Sequence, residues 1–105
     1  MADSLPLNPW VPMSKPIDVK HLGKLAEELN EAGAAVARCL IQGITESEPI
    51  TLKPNRQWLE EELADVAANI ELVITHFGLD RMLARRERKM KHLRAWHAML
   101  EPKTP

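Results

Sequence analysis

Apolar residues recur at helical spacing in three stretches of this chain. Leu22, Leu25, Leu29, Ala32, Val36 and Leu40 fall on one stripe when the sequence is wound at ~100° per residue. They predict a first helix that starts at Asp18, a good N-cap, with Ile17 and Leu22 placed for a hydrophobic staple. Gly43 is a plausible C′ residue at its end. Leu59, Leu63, Val66, Ile70, Val73 and Phe77 make a second stripe, capped by Asn55 and closed by Gly78. A third helix is expected over Asp80 to Leu100, with Leu79, Leu83, Met90, Leu93 and Leu100 on its core face. No stretch alternates with period two. The expected fold is therefore all-α: an antiparallel helical hairpin plus a third helix, giving a four-helix-bundle-type core on oligomerisation.

The remaining segments are punctuated by proline and glycine. Residues 1–17 hold Pro6, Pro9, Pro12 and Pro16 and read as an extended N-terminal arm, because proline fixes φ and removes a donor. Trp10 lies in this arm and either docks it on the body or lids a ligand site by stacking. Gly43 to Asn55 forms a loop long enough to suggest a function. Lys53 and Arg56 stand where that loop meets the second helix, against the helix dipole, which points to another anion or simply to solvated charge. Residues 18–100 form the domain, and 101–105 a short tail.

The polar residues change the picture more than the apolar ones. The pattern Leu-x-x-Glu-Leu-x-acid occurs twice, as Leu25–Ala32 and as Leu59–Val66. Residues three apart share a helix face, so Glu28/Glu31 and Glu62/Asp65 each form a carboxylate pair on the flank of an apolar stripe. His21 and Lys24 share the first flank, and Asn69 and His76 continue the second. Glu27, Glu60 and Glu61 point further outward. A run such as Glu60-Glu61-Glu62 ordinarily belongs to a solvated face. Here, however, two carboxylates ~5 Å apart repel by about 3 kcal/mol at an effective dielectric of ~20. Packing the two helices would multiply such pairs. Protonation, Lys/Arg neighbours or a divalent cation must relieve them. All-oxygen ligands suit Mg²⁺, Mn²⁺ or Ca²⁺ and not zinc, and the chain contains no Glu-x-x-His of the di-iron type. Mg²⁺ characteristically engages substrate phosphates, and the basic residues from Arg81 to Arg94 offer a phosphate site.

Composition narrows the classes. A chain of 105 residues is one small domain whose own core is modest, which favours subunit association. The net charge of −1 gives no global argument for nucleic acid or membrane. Cys39 is the one cysteine, which rules out an internal disulfide and a cysteine-rich metal site. No apolar run approaches a membrane span, and no signal-peptide core is seen, so the chain reads as cytoplasmic.

On Glu28/Glu31 and Glu62/Asp65, with both leucine frames and the basic third helix, the sequence resembles the all-α nucleoside triphosphate pyrophosphohydrolases of the MazG-like group, small phage-type members included. The likeness runs from about His21 to Trp96, leaves the arm uncovered, and has a spacer slightly longer than the family's usual range. It implies Mg²⁺-dependent hydrolysis of a (d)NTP to the monophosphate and pyrophosphate, with Mn²⁺ as a possible substitute. Glu28, Glu31, Glu62 and Asp65 would then be metal ligands, and Glu27 or Glu61 would orient the attacking water. Lys89, Lys91 and Arg94 would meet the phosphates, Asn69 would shape the base pocket, and Trp10 would stack on the base. A homodimer or homotetramer is implied. His21, Cys39, His76, Trp58 and Trp96 read as packing residues. The competing accounts are a non-enzymatic helical adaptor that dimerises through the same stripes, and a nucleic-acid-binding basic helix. The second is disfavoured because Glu27, Glu28, Glu60 and Glu61 would repel a phosphate backbone.

Overall fold

The computed structural model describes residues 6–102; residues 1–5 of the arm and 103–105 of the tail lie outside them. Three helices follow in order: α1 Pro16–Gln42, α2 Asn55–Phe77 and α3 Met82–Leu100. No strand occurs among the described residues, and Ser47 and Pro54 form one isolated bridge inside the loop. The all-α expectation holds, and α1 and α2 pack as an antiparallel hairpin.

The helix starts differ from the sequence expectation for a shared reason. The sequence predicts Asp18 and Asn55 as caps, but neither side chain caps its helix and each has a tertiary partner instead. Lys15 takes the N-cap position of α1 and Pro16 occupies the first turn, where its missing N–H would be unpaired anyway. Pro16 and Ile17 therefore belong to the helix and not to the arm. Asp18 reaches across to His76 at the far end of α2, Oδ1 to Nε2 2.6 Å, and the His76 ring stacks on His21 with centroids 4.1 Å apart. Likewise Pro54 precedes α2, and Asn55 is buried (1% exposed). Its Nδ2 donates to the Gly43 carbonyl at 2.9 Å, and its backbone N–H donates to Glu46 O. One asparagine thus ties both ends of the loop to the end of α1. Gly43 (φ 101°) and Gly78 (φ 63°) close α1 and α2 in the conformations that favour glycine. α3 begins at Met82, two residues after the expected Asp80.

The inner seam of the hairpin is rotated from the expected stripes towards the acids. Along α1 the less exposed residues include His21, Leu25, Glu28, Ala32, Ala35 and Cys39; along α2 they include Asn55, Leu59, Glu62, Val66, Asn69, Val73 and Phe77. The alternating three- and four-residue steps are those of a coiled-coil seam. Glu28 and Glu62 are therefore part of the seam itself, while Glu31 and Asp65 remain on its flank. Leu22, Leu29, Val36, Leu40 and Leu63 are left exposed beside the seam, on the flank away from Glu31 and Asp65. Gly33 lies in open space, and a Cβ there would meet nothing within 4 Å.

α3 buries none of its residues, and its expected core positions Leu83, Leu93 and Leu100 are exposed. The fully buried apolar residues among those described are Ala32, Ala35 and Val73, a very small core. The radius of gyration is 19.8 Å, against ~13 Å for a compact chain of this length. Among the described residues no helix is long and apolar enough to cross a membrane.

Candidate metal centre

The antiparallel register brings the two acidic pairs together at mid-hairpin. Carboxylate oxygens of Glu28, Glu62 and Asp65 all lie within 4.8 Å of one another, as do those of Glu27, Glu28 and Glu31. Glu28 belongs to both groups and is 5% exposed. Its Oε1 pairs with Lys24 Nζ at 3.0 Å, an ammonium that also reaches Glu27 at 3.3 Å. Its Oε2 is buried without a hydrogen-bond partner, and so is Oε2 of Glu62. Buried carboxylate oxygens ordinarily find donors. Both orphaned oxygens belong to residues of the Glu28, Glu62 and Asp65 group.

Local charge agrees. Glu28, with smaller contributions from burial and Glu62, pushes the Glu31 carboxyl above its ordinary value. Hydrogen bonds to Glu28 and then Glu27 push the Lys24 ammonium up. One lysine does not balance five acids around the seam. The donor set is all carboxylate oxygen, contributed from two helices, with Asp65 and Glu31 exposed at its edge. That set fits Mg²⁺ or Mn²⁺.

The other expected site residues divide by position. Glu27 stays at the cluster. Glu61 turns away, pairing with Lys53 at 2.6 Å and Gln57 at 3.0 Å, and the Lys53 hydrogen bond holds its carboxyl below the usual value. Asn69 sits one turn beyond Asp65, donating from Nδ2 to the Asp65 carbonyl at 2.8 Å, and lines a hollow of about 300 Å³ with Lys20, His21 and Lys24. Trp10 is 97% exposed, so it neither docks the arm nor covers the acids. Lys91 and Arg94 line an open hollow on α3 itself, and Lys89 lies on the same helix. Since α3 is not packed on the hairpin, these cations are not brought to the acids within one chain.

Sequence reasoning missed a second feature of the same face. Arg38 and Trp58, on facing helices, meet with the guanidinium 4.9 Å from the indole centroid, and Lys53 Nζ lies 5.7 Å from the same ring. The available signal was spacing: Arg38 follows Glu31, and Trp58 precedes Asp65, by seven residues, two turns along the same flank. Comparisons with protein-family models, with curated proteins and with solved structures return no match.

Proposed function

We propose that this chain is a cytoplasmic, Mg²⁺-dependent nucleoside triphosphate pyrophosphohydrolase of the MazG-like type, converting a (d)NTP to the monophosphate and pyrophosphate. The observation that carries this reading is the pair of buried, partnerless carboxylate oxygens on Glu28 and Glu62 inside a cluster completed by Asp65. In it, Glu28, Glu62 and Asp65 hold the metal, with Glu31 as a further ligand from the flank. A bound Mg²⁺ lowers the pKa of water and neutralises charge on phosphate oxygens. Glu27, at the edge of the cluster and weakly tied to Lys24, is better placed than Glu61 to accept a proton from water attacking the α-phosphorus. Lys24 and Asn69 border the same groove and would meet the substrate's polar groups.

Assembly belongs to the same proposal. The exposed face of Leu22, Leu29, Val36, Leu40 and Leu63 supports pairing of two hairpins into a four-helix core, as a homodimer or a dimer of dimers. α3, basic and unburied, complements the acidic hairpin in charge, so Lys89, Lys91 and Arg94 would serve the phosphates of a neighbouring copy's site. The exposed apolar face supports the helical-adaptor reading equally well; the orphaned carboxylates favour the enzyme. Pyrophosphate release from a panel of (d)NTPs with and without Mg²⁺ tests the proposal. No release from any nucleotide would refute it.

A further inference from the structure

The loop end of the acidic groove is built differently from its other end. An open hollow of about 440 Å³ is lined by Arg38, Glu48, Ile50, Thr51, Lys53 and Trp58. Glu48 is satisfied internally, accepting from the Ile50 backbone N–H (3.0 Å), from the Thr51 backbone N–H and from the Thr51 hydroxyl (2.7 Å). It shapes the loop and offers little to a ligand. Lys53 is half engaged by Glu61. Arg38 makes one long contact, 3.5 Å to Gln42 Oε1, which leaves most of its five donors free. Ile50 is 88% exposed at the rim. The hollow therefore presents an indole, a guanidinium fork beside it with unused donors, and an exposed isoleucine at the rim.

That combination recognises a flat ring bearing carbonyl or ring-nitrogen acceptors. Indole and guanidinium planes both stack on bases, and a fork of N–H donors matches paired acceptors on a ring edge. A bare phosphate would use the cations and leave Trp58 and Ile50 idle. The hollow also lies roughly 10 Å along the helices from Glu31 and Asp65, seven residues at 1.5 Å each. We propose that Arg38, Trp58 and Lys53 form the ring-binding end of the groove and take the nucleobase of a nucleotide whose phosphates lie at the acids. The inference rests on the metal-site reading above and moves the base from Asn69 to the loop end. Asn69 and Lys24 are left to the phosphate side.

Binding without turnover tests it. The full chain is titrated with 5′-nucleoside monophosphates and, separately, with inorganic tripolyphosphate plus Mg²⁺, by calorimetry. Trp58→Leu and Arg38→Ala are expected to weaken monophosphate binding by roughly tenfold or more and to leave tripolyphosphate binding unchanged. Lys53→Ala, on the loop, and Arg38→Lys, which keeps the charge and loses the fork, are expected to weaken it as well without disturbing helicity. Monophosphate binding indifferent to all four changes overturns the proposal. So does an equal loss for tripolyphosphate, which would make the hollow an anion patch, and so does no monophosphate binding. Pyrophosphate release with Trp58-independent binding removes the ring pocket and leaves the reaction standing. Trp58-dependent binding with no release from any nucleotide does the reverse.

Discussion

Glu62→Gln separates a metal site from an acidic surface without any assay of catalysis. The Glu28 and Glu62 oxygens lie within 4.8 Å, where two charges repel by about 3.5 kcal/mol at an effective dielectric of ~20. Lys24, 3.0 Å from Glu28, and solvent at the open side offset much of this. A net strain of roughly 1–2 kcal/mol remains. Glutamine removes the charge, keeps the shape, and can donate from its amide to the orphaned Glu28 oxygen. Metal-free Glu62→Gln should therefore be more stable than the parent, by roughly 5–10 °C in Tm for a domain of this size. Magnesium acts in the opposite direction. At a hundredfold excess over its Kd it adds about 2.7 kcal/mol to the parent, and the variant should gain less than a third of that. Thermal melts with and without Mg²⁺ at one fixed protein concentration make the measurement. A variant less stable than the parent without metal, or equally stabilised by Mg²⁺, would refute the reasoning.

Three further outcomes follow from the fold. Asn55→Ala strands the Gly43 carbonyl and frees the loop, and should cost about 1–3 kcal/mol in urea denaturation; a change under half that would mean the anchor is redundant. Leu29→Lys combined with Val36→Lys places charge on the exposed apolar face and should give monomers in sedimentation velocity, whereas an unchanged oligomer would show that association uses another surface. Glu48 has its carboxyl held below the ordinary 4.5, first by the Thr51 hydroxyl and then by the Thr51 and Ile50 amides. A depressed carboxyl contributes loop stability above its unfolded value and loses it as pH falls through the folded one. Protection of the Ile50 and Thr51 amides, taken relative to their intrinsic exchange rates, should fall below pH 4.5 and should not change with pH in Glu48→Gln; equal protection profiles would contradict the assignment.

Much of this architecture was legible because helical periodicity is a local property. The three helices, the Gly43 and Gly78 closures and the doubled acidic pattern all came from residue spacing. What spacing does not carry is the rotation of one helix about its axis against another. The stripe of Leu22, Leu29, Val36 and Leu40 is strongly apolar, yet Glu28, Ala32 and Ala35 face α2. The apolar face is broader than one contact needs, and small residues allow the closer approach. Local chemistry also misjudged Asp18 and Asn55, good caps in isolation whose side chains were taken by partners 58 and 12 residues away. The Arg38–Trp58 pairing was hidden for the same reason: each residue is ordinary alone and depends on the hairpin register.

The most direct test of the central claim is pyrophosphate release by the full chain on a panel of deoxy- and ribonucleoside triphosphates, in Mg²⁺ and in chelator, beside Asp65→Ala. Asp65 is the exposed member of the cluster, so its loss removes a ligand without emptying the seam. The account predicts Mg²⁺-dependent release from at least one nucleotide, with monophosphate as co-product, and loss of that release in the variant by about a hundredfold or more. Release that survives Asp65→Ala or persists in chelator would contradict it, as would silence across the panel.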